Sequence, residues 1–177
     1  MSAPREHFHH CPRCAVPHPT PAAHEPFHCA ACGFLYYFNS TIAVAAFLRA
    51  PDRRVLFIRR AKEPARGKLA VPGGFVDIGE TAEEALRREI REEVNLEVGP
   101  LRFLGSHTNV YPYEGVTYPV LDFFFISEMQ PEQSPSALDG VESFCWLEPQ
   151  RVDLSEIAFP SIRAALKQYL AITESHE

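Results

Sequence analysis

The sequence contains no long run of lysine or arginine, and its formal net charge is −6 over 177 residues. Nonspecific nucleic-acid binding needs a broad basic field facing the phosphates, so no nucleic-acid partner is expected. No apolar run approaches the ~18–20 residues that span a bilayer, so no membrane role is expected. The opening Met1-Ser2-Ala3-Pro4-Arg5-Glu6-His7 lacks the apolar stretch of a secretory signal. These absences lead to the expectation of a soluble, cytoplasmic protein. Beyond residue 32 cysteine occurs once, at Cys145, inside an apolar stretch where it reads as a small buried hydrophobe. What the chain does have is apolar material, 46% of its residues. That suffices for a packed core and argues against intrinsic disorder. The length suits one catalytic domain with a small appendage.

The other four cysteines form two close pairs, Cys11-Pro12-Arg13-Cys14 and Cys29-Ala30-Ala31-Cys32. Each Cys-x-x-Cys turn presents two thiolates, and two such turns complete a tetrahedral zinc site. A disulfide framework is the competitor, and the missing secretion signal weighs against it. Gly33 suits the tight turn after the second pair, and Ala15 occupies the same place after the first. His7, His9 and His10 read as a solvated tail. Residues 16–28 are too broken by proline for a long helix. The texture changes after Asn39, so residues 1–38 are expected to form a zinc ribbon and 39–177 the main domain. The first 40 residues carry only Arg5 and Arg13 against Glu6 and Glu25, which favours a structural ribbon over a nucleic-acid-binding one.

In the main domain, residues 41–48 and 55–58 read as two strands joined at Pro51-Asp52, and 69–71 as a short strand stopped by Pro72-Gly73-Gly74. A helix is expected over 81–94. Thr81 and Glu84 make a capping box, and Leu86, Ile90 and Val94 recur every four residues. Further strands are expected over 101–105, 120–126 and 144–147, a loop over 130–140, and a final amphipathic helix over 162–172. Strands mixed with two helices predict an α/β/α sandwich with a mixed sheet.

Glu89, Glu92 and Glu93 lie three and four residues apart, so they converge on one face of the predicted helix. Three carboxylates there repel unless a hard cation sits among them. Magnesium and manganese favour such oxygen ligands and can bind phosphate oxygens as well. A metal so placed can activate water and neutralise charge on a phosphoryl group. The glycine pair Gly73-Gly74 lets the backbone come close to metal or phosphate. The bland alternative is a solvated face with surface pairs such as Glu84 with Arg88. It accounts for the charge but not for the pattern.

That pattern, Gly74-x5-Glu80-x7-Arg88-Glu89-Ile90-x-Glu92-Glu93-x-Asn95-Leu96, resembles the Nudix box, with Asn95 where the family has glycine. Helix ends favour a left-handed residue there, and asparagine is next to glycine in tolerance. The resemblance spans about 41–147 and includes Gly67-Lys68-Leu69-Ala70-Val71-Pro72-Gly73-Gly74. It implies Glu89, Glu92 and Glu93 as ligands of magnesium or manganese, one of them a possible base, with the Gly73 or Gly74 carbonyl alongside. Arg88 would orient the cluster and Glu80 would support it. A zinc ribbon ahead of such a domain is similar to the NADH diphosphatase arrangement, which implies a structural ribbon and a homodimer.

Selectivity is expected from the segment after the box, where Tyr111, Pro112 and Tyr113 stand, with Tyr118 further on. Their aromatic rings could stack on a nucleotide base or pack the loop onto the sheet. Many family members place a further acid six residues before an aromatic such as Trp146. That slot is Gly140 here, which leaves Glu142 first, then Asp139 or Glu114, or a box glutamate, as the base. The resemblance implies cleavage of a nucleoside diphosphate derivative such as ADP-ribose or NADH. The alternatives are a nucleoside triphosphate sanitising enzyme and a non-catalytic nucleotide-sensing module.

Overall fold

The computed structural model describes residues 2–130 and 132–174, without the side chain of Glu174. Pro131, in the expected loop, lies outside the described residues, as do Met1 and 175–177. Contacts divide the chain into two units: one takes the residues up to Thr41 with Val110–Val120, the other Ile42–Asn109 with Leu121–Glu177.

In the first unit, strands β1 (Phe27–His28) and β2 (Leu35–Tyr36) pair antiparallel around the second cysteine turn. A chain this small has little to bury, so its core consists of Cys11, Cys29 and Phe27, flanked by Phe8, Phe34 and Phe38. Ser2 pairs in parallel with Val116 at the tip of a long hairpin. Its amide donates to Gly115 O at 3.4 Å, and its carbonyl accepts from Thr117 N at 2.9 Å.

The main sheet has seven strands: β3 (Thr41–Arg49), β4 (Val55–Arg60), β5 (Leu69–Ala70), β6 (Gly73–Phe75), β7 (Arg102–Tyr113), β8 (Val116–Glu128) and β9 (Val141–Leu147). The spatial order is β5-β4-β3-β8-β7, with β6 paired to β3 and β9 to β4. Ala46, Phe47 and Leu48 are consecutive and fully buried, as are Val55, Leu56 and Phe57. Successive side chains of a strand point to opposite faces, so both faces of these strands are covered.

The two helices provide that cover. Val44 stands opposite Gly74 in register, and Gly74 lies against Glu89 of α1 (Ala82–Val94). Phe47, of opposite parity, stacks on Tyr169 of α2 (Pro160–Glu174), with ring centroids 5.0 Å apart. The result is the α/β/α sandwich expected from the sequence. The expected stripe of α1, Leu86, Ile90 and Val94, is buried together with Ala85. Each such aliphatic side chain removed from water is worth roughly 1.5–3 kcal/mol.

Four elements differ most from expectation. Gly73-Gly74, read as a strand stop, begins β6, because β3 offers it a partner over Ala43–Ala45. β7 and β8 run well past the expected limits and continue through Pro112 and Pro119. Helix α2 starts two residues early, with Pro160 in its first turn, where the missing N–H costs nothing.

Candidate active site and metal centre

Helix α1 is fixed at both ends. Thr81 and Glu84 form the reciprocal capping box, so Glu84 is used as a cap and does not pair with Arg88. At the other end Asn95 adopts φ 55°, ψ 41°, the left-handed conformation that its place in the box called for, and its N–H donates to Arg91 O. The 130–140 segment satisfies two further helix carbonyls: Ser136 N donates to Val94 O and Leu138 N to Glu93 O, both at 2.9 Å.

The two glycines act as close-approach positions. A Cβ at Gly73 would lie 2.0 Å from Val44 O, and its φ of 148° already disfavours any side chain. A Cβ at Gly74 would lie 2.4–2.5 Å from the Glu89 carboxylate. The glutamate side chains therefore press directly on backbone, leaving a cradle that any other residue would fill.

Arg88 organises the acidic face. Its Nε and Nη2 donate to the two oxygens of Glu80 at 2.8 and 2.9 Å, a bidentate pair. Nη1 reaches Glu89 at 2.8 Å and Glu92 at 3.1 Å, and Nη2 also donates to Phe75 O at 3.0 Å. The hydrogen bonds to Glu80 and Glu89 hold the guanidinium far above its ordinary value despite its desolvation. Burial raises the Glu89 carboxyl, opposed by Arg88 and reinforced by the Glu92 charge.

Glu93 points elsewhere. Its Oε2 accepts from Gly73 N at 2.9 Å. Burial pushes its carboxyl up to about 8. The Gly73 hydrogen bond opposes that rise, and the Glu89 and Asp139 charges add to it. The three glutamates are thus split between two anchors, Arg88 and the Gly73 amide. Among the described residues only the four cysteines gather three or more ligand atoms within 4.8 Å of one another. Charge still couples them in part: the Glu92 charge adds to the rise at Glu89, and the Glu89 charge to the rise at Glu93.

The remaining candidates scatter. Glu142 is exposed on β9. Asp139, nearer in effect, is paired with Lys62 at 2.7 Å, and its charge reaches Glu93. Glu114 is exposed at the hairpin turn, at φ 46°. Gly140, in the acidic slot, has φ 71° and accepts from Ala61 N, which explains why a glycine stands there. Tyr111, Pro112 and Tyr113 belong to the hairpin portion of the first unit, with the two tyrosine rings 6.3 Å apart. Trp146 and Cys145 are partly buried against the core. Sequence reasoning did not foresee the four-way grip of Arg88, or Arg60 acting on Glu93 through its charge. Both depend on contacts between elements, which local spacing does not reveal.

The cysteine site is built from two matching turns. Ala15 N donates to Cys11 O and Gly33 N to Cys29 O, each at 2.8 Å. Both closing residues are left-handed, Ala15 at φ 59° and Gly33 at φ 71°. Across the turns, Cys11 Sγ lies 3.6 Å from Cys32 Sγ and Cys14 Sγ 3.6 Å from Cys29 Sγ. A tetrahedron with zinc–sulfur bonds of about 2.3 Å has edges of about 3.8 Å, so the spacing fits. Without a cation the thiols cannot all ionise. Burial works against a Cys11 thiolate, but the Cys14 and Arg13 amides and the neighbouring thiols outweigh it and bring its pKa down to about 6. Cys14 is pushed up to about 12: the Val16 amide favours its thiolate, but the crowding thiols and burial prevail.

In this sandwich the first helix sets an Arg88-bound row of carboxylates against the glycine-led strand β6. A family profile described as the NUDIX domain matches residues 39–169, about three quarters of the chain. The chain belongs to the Nudix family. It is 45% identical over 60 residues to an ADP-ribose pyrophosphatase of Methanocaldococcus jannaschii, covering 34% of this chain and 35% of that protein. It is 35% identical over 112 residues to the NAD-capped RNA hydrolase NudC of Chromobacterium violaceum, covering 62% and 42%. It thus spans less than half the length of either relative. An 8-oxo-dGTP diphosphatase of Haemophilus influenzae is 33% identical over 110 residues, covering 61% and 73%. A Nudix hydrolase crystal structure from Nitrosomonas europaea shares the fold with a TM-score of 0.68 at 23% identity, covering 92% and 90%.

Proposed function

We propose that the chain is a divalent-metal-dependent hydrolase that cleaves the diphosphate bond of a nucleoside diphosphate derivative, of the ADP-ribose or NADH kind, to AMP and a phosphorylated fragment. The observation that carries this reading is the cradle: Glu93 held by the Gly73 amide and Glu89 pressed on Gly74. Glu89, Glu92, Glu93 and the Gly73 carbonyl would hold magnesium or manganese. When bound, such a cation supplies charge neutralisation for the phosphates and a lowered pKa for water. The chain's own groups supply order and proton transfer. Arg88 fixes Glu89 and Glu92, and Glu80 fixes Arg88. Glu93 keeps one carboxylate oxygen on Gly73 N, which leaves Oε1 to face the cation or to serve as the base.

We further propose that 1–38 is a structural zinc ribbon and 39–177 the hydrolase domain, working as a homodimer in the cytoplasm, where free cysteines stay reduced. A substrate panel with magnesium and manganese, read by product mass, tests the reading. AMP with ribose phosphate or nicotinamide mononucleotide is expected, and Glu93→Gln should abolish turnover while the fold stays intact. Full turnover in that variant would overturn the assignment. The likeness to the 8-oxo-dGTP diphosphatase favours a second reading, nucleoside triphosphate cleavage, whose products would be a nucleoside monophosphate and diphosphate.

A further inference from the structure

The β7–β8 hairpin turns at Glu114-Gly115, both left-handed at φ 46° and φ 80°, the pattern of a two-residue type I′ turn. Glutamate is disfavoured in that conformation, so the turn does not hold itself shut by its own preference. Contacts group this tip, Val110–Val120, with the residues up to Thr41. Two strands alone are marginal in water, and a third adds the missing support. Here the third strand is one residue long. Ser2 bridges Val116 in parallel, its carbonyl accepting from Thr117 N at 2.9 Å and its N–H donating to Gly115 O at 3.4 Å.

Ser2 is held in turn by the residues that follow it. Its Oγ lies 2.7 Å from His7 Nε2, across the short 3-10 helix Pro4–His7. Within that helix Glu6 N donates to Ala3 O at 2.9 Å, and Phe8 N closes it on Arg5 O at 3.2 Å. Phe8 is where the segment meets the ribbon. Its ring centroid lies 5.6 Å from that of Phe27, 5.5 Å from Tyr36 and 4.9 Å from Phe38. Phe27 is fully buried beside Cys11 and Cys29. A core this small needs a cross-link or a metal to stay folded. The grip on Phe8, and through it on Ser2, is therefore set by whatever binds the four thiols.

We propose that residues 2–8 are a strap through which the metal-bound ribbon holds the hairpin tip, so that the four cysteines govern the placement of Tyr111 and Tyr113. The part concerning the tyrosines rests on the substrate-contacting role proposed for them. Their rings stand 6.3 Å apart on the strapped tip, and Tyr113 is 53% exposed. Without the strap the tip frays and both rings lose their fixed positions. The glutamate cradle lies on β6 and α1 and keeps its own anchors. Loss of the strap thus weakens substrate binding and spares the chemical step, which raises KM and leaves kcat unchanged.

Amide hydrogen exchange of the full chain, read residue by residue, tests this, because the Thr117 N–H donates to the strap itself. Stripping the metal with a zinc chelator should speed Thr117 exchange at least about tenfold. The Ala46 amide, which donates to Pro72 O at 3.0 Å, should keep its rate. Ser2→Pro removes one of the two strap bonds and should speed Thr117 about fivefold with the metal in place. Cobalt(II) in place of zinc should keep its thiolate absorption in that variant. Phe8→Ala should act likewise, and Phe8→Leu should recover most of the protection. With a nucleoside diphosphate derivative that the enzyme cleaves, Ser2→Pro should raise KM about three- to tenfold at unchanged kcat. A Thr117 rate indifferent to metal removal would overturn the strap, as would an Ala46 rate that rises with it. A faster Thr117 with KM unmoved would overturn the control of the tyrosines. The exchange readout needs no substrate, so it decides the strap even if the hydrolase reading fails.

Discussion

Raising the pH of a sample free of magnesium and manganese should loosen the fold through Glu93. Its carboxyl ionises near 4.5 in the unfolded chain and near about 8 in the folded one, chiefly because it is buried. Between those values the folded state keeps a proton that the unfolded state has released. This contribution is therefore complete below about 4.5 and is lost as pH rises through about 8. At about 1.4 kcal/mol per tenfold in proton affinity, the gap amounts to roughly 5 kcal/mol. Water reaching the half-buried side chain lowers this to about 2–4 kcal/mol. For a chain of this size that is a fall of about 5–15 °C in Tm. Glu80, Glu84 and Glu97 have lowered affinities through Arg88, Thr81 and Arg91 respectively, so they titrate below this window. The assay is thermal unfolding from pH 5 to 8 after gel filtration, which leaves the zinc proposed for the ribbon in place. Magnesium or manganese should restore stability, and most at pH 8, where a cation takes over from the proton. Glu93→Gln cannot ionise, so its curve should be flatter. Parallel curves for the two proteins would refute the reasoning.

Three other outcomes follow from particular contacts. Arg88→Lys keeps the charge but loses the bidentate hold on Glu80, and should cut kcat by about 10- to 100-fold, with Arg88→Ala lower still. Gly73→Ala should cost at least about 3 kcal/mol, read as a shifted urea midpoint, because the new Cβ meets the Val44 carbonyl. Thr81→Ala should cost about 1 kcal/mol of helix capping while turnover measured at 25 °C stays unchanged.

The parts of the molecule legible from sequence are those governed by neighbours along the chain. Helix α1 announced itself through Thr81, Glu84 and the Leu86-Ile90-Val94 stripe, and Asn95 through its place after the last turn. What spacing left hidden is set by partners far away in sequence. Gly73–Phe75 is a strand only because β3 lies beside it, and β7 and β8 extend because each supplies the other's hydrogen bonds through residues of mixed polarity. Glu142 ranked first by counting back from Trp146, but counting does not convey which side of β9 is exposed.

The two cysteine turns share one hydrogen-bond plan but differ in one residue, and the difference gives the ribbon a direction of failure. A left-handed alanine costs roughly 1 kcal/mol relative to glycine. The Cys11 turn therefore carries a strain, at Ala15, that the Cys29 turn avoids with Gly33. If one metal holds both turns, its loss should release the first turn before the second. Loss of the ion would then proceed as an ordered unzipping from the N-terminal end, with the Cys29–Cys32 half, braced by β1 and β2, surviving as the seed on which the site closes again.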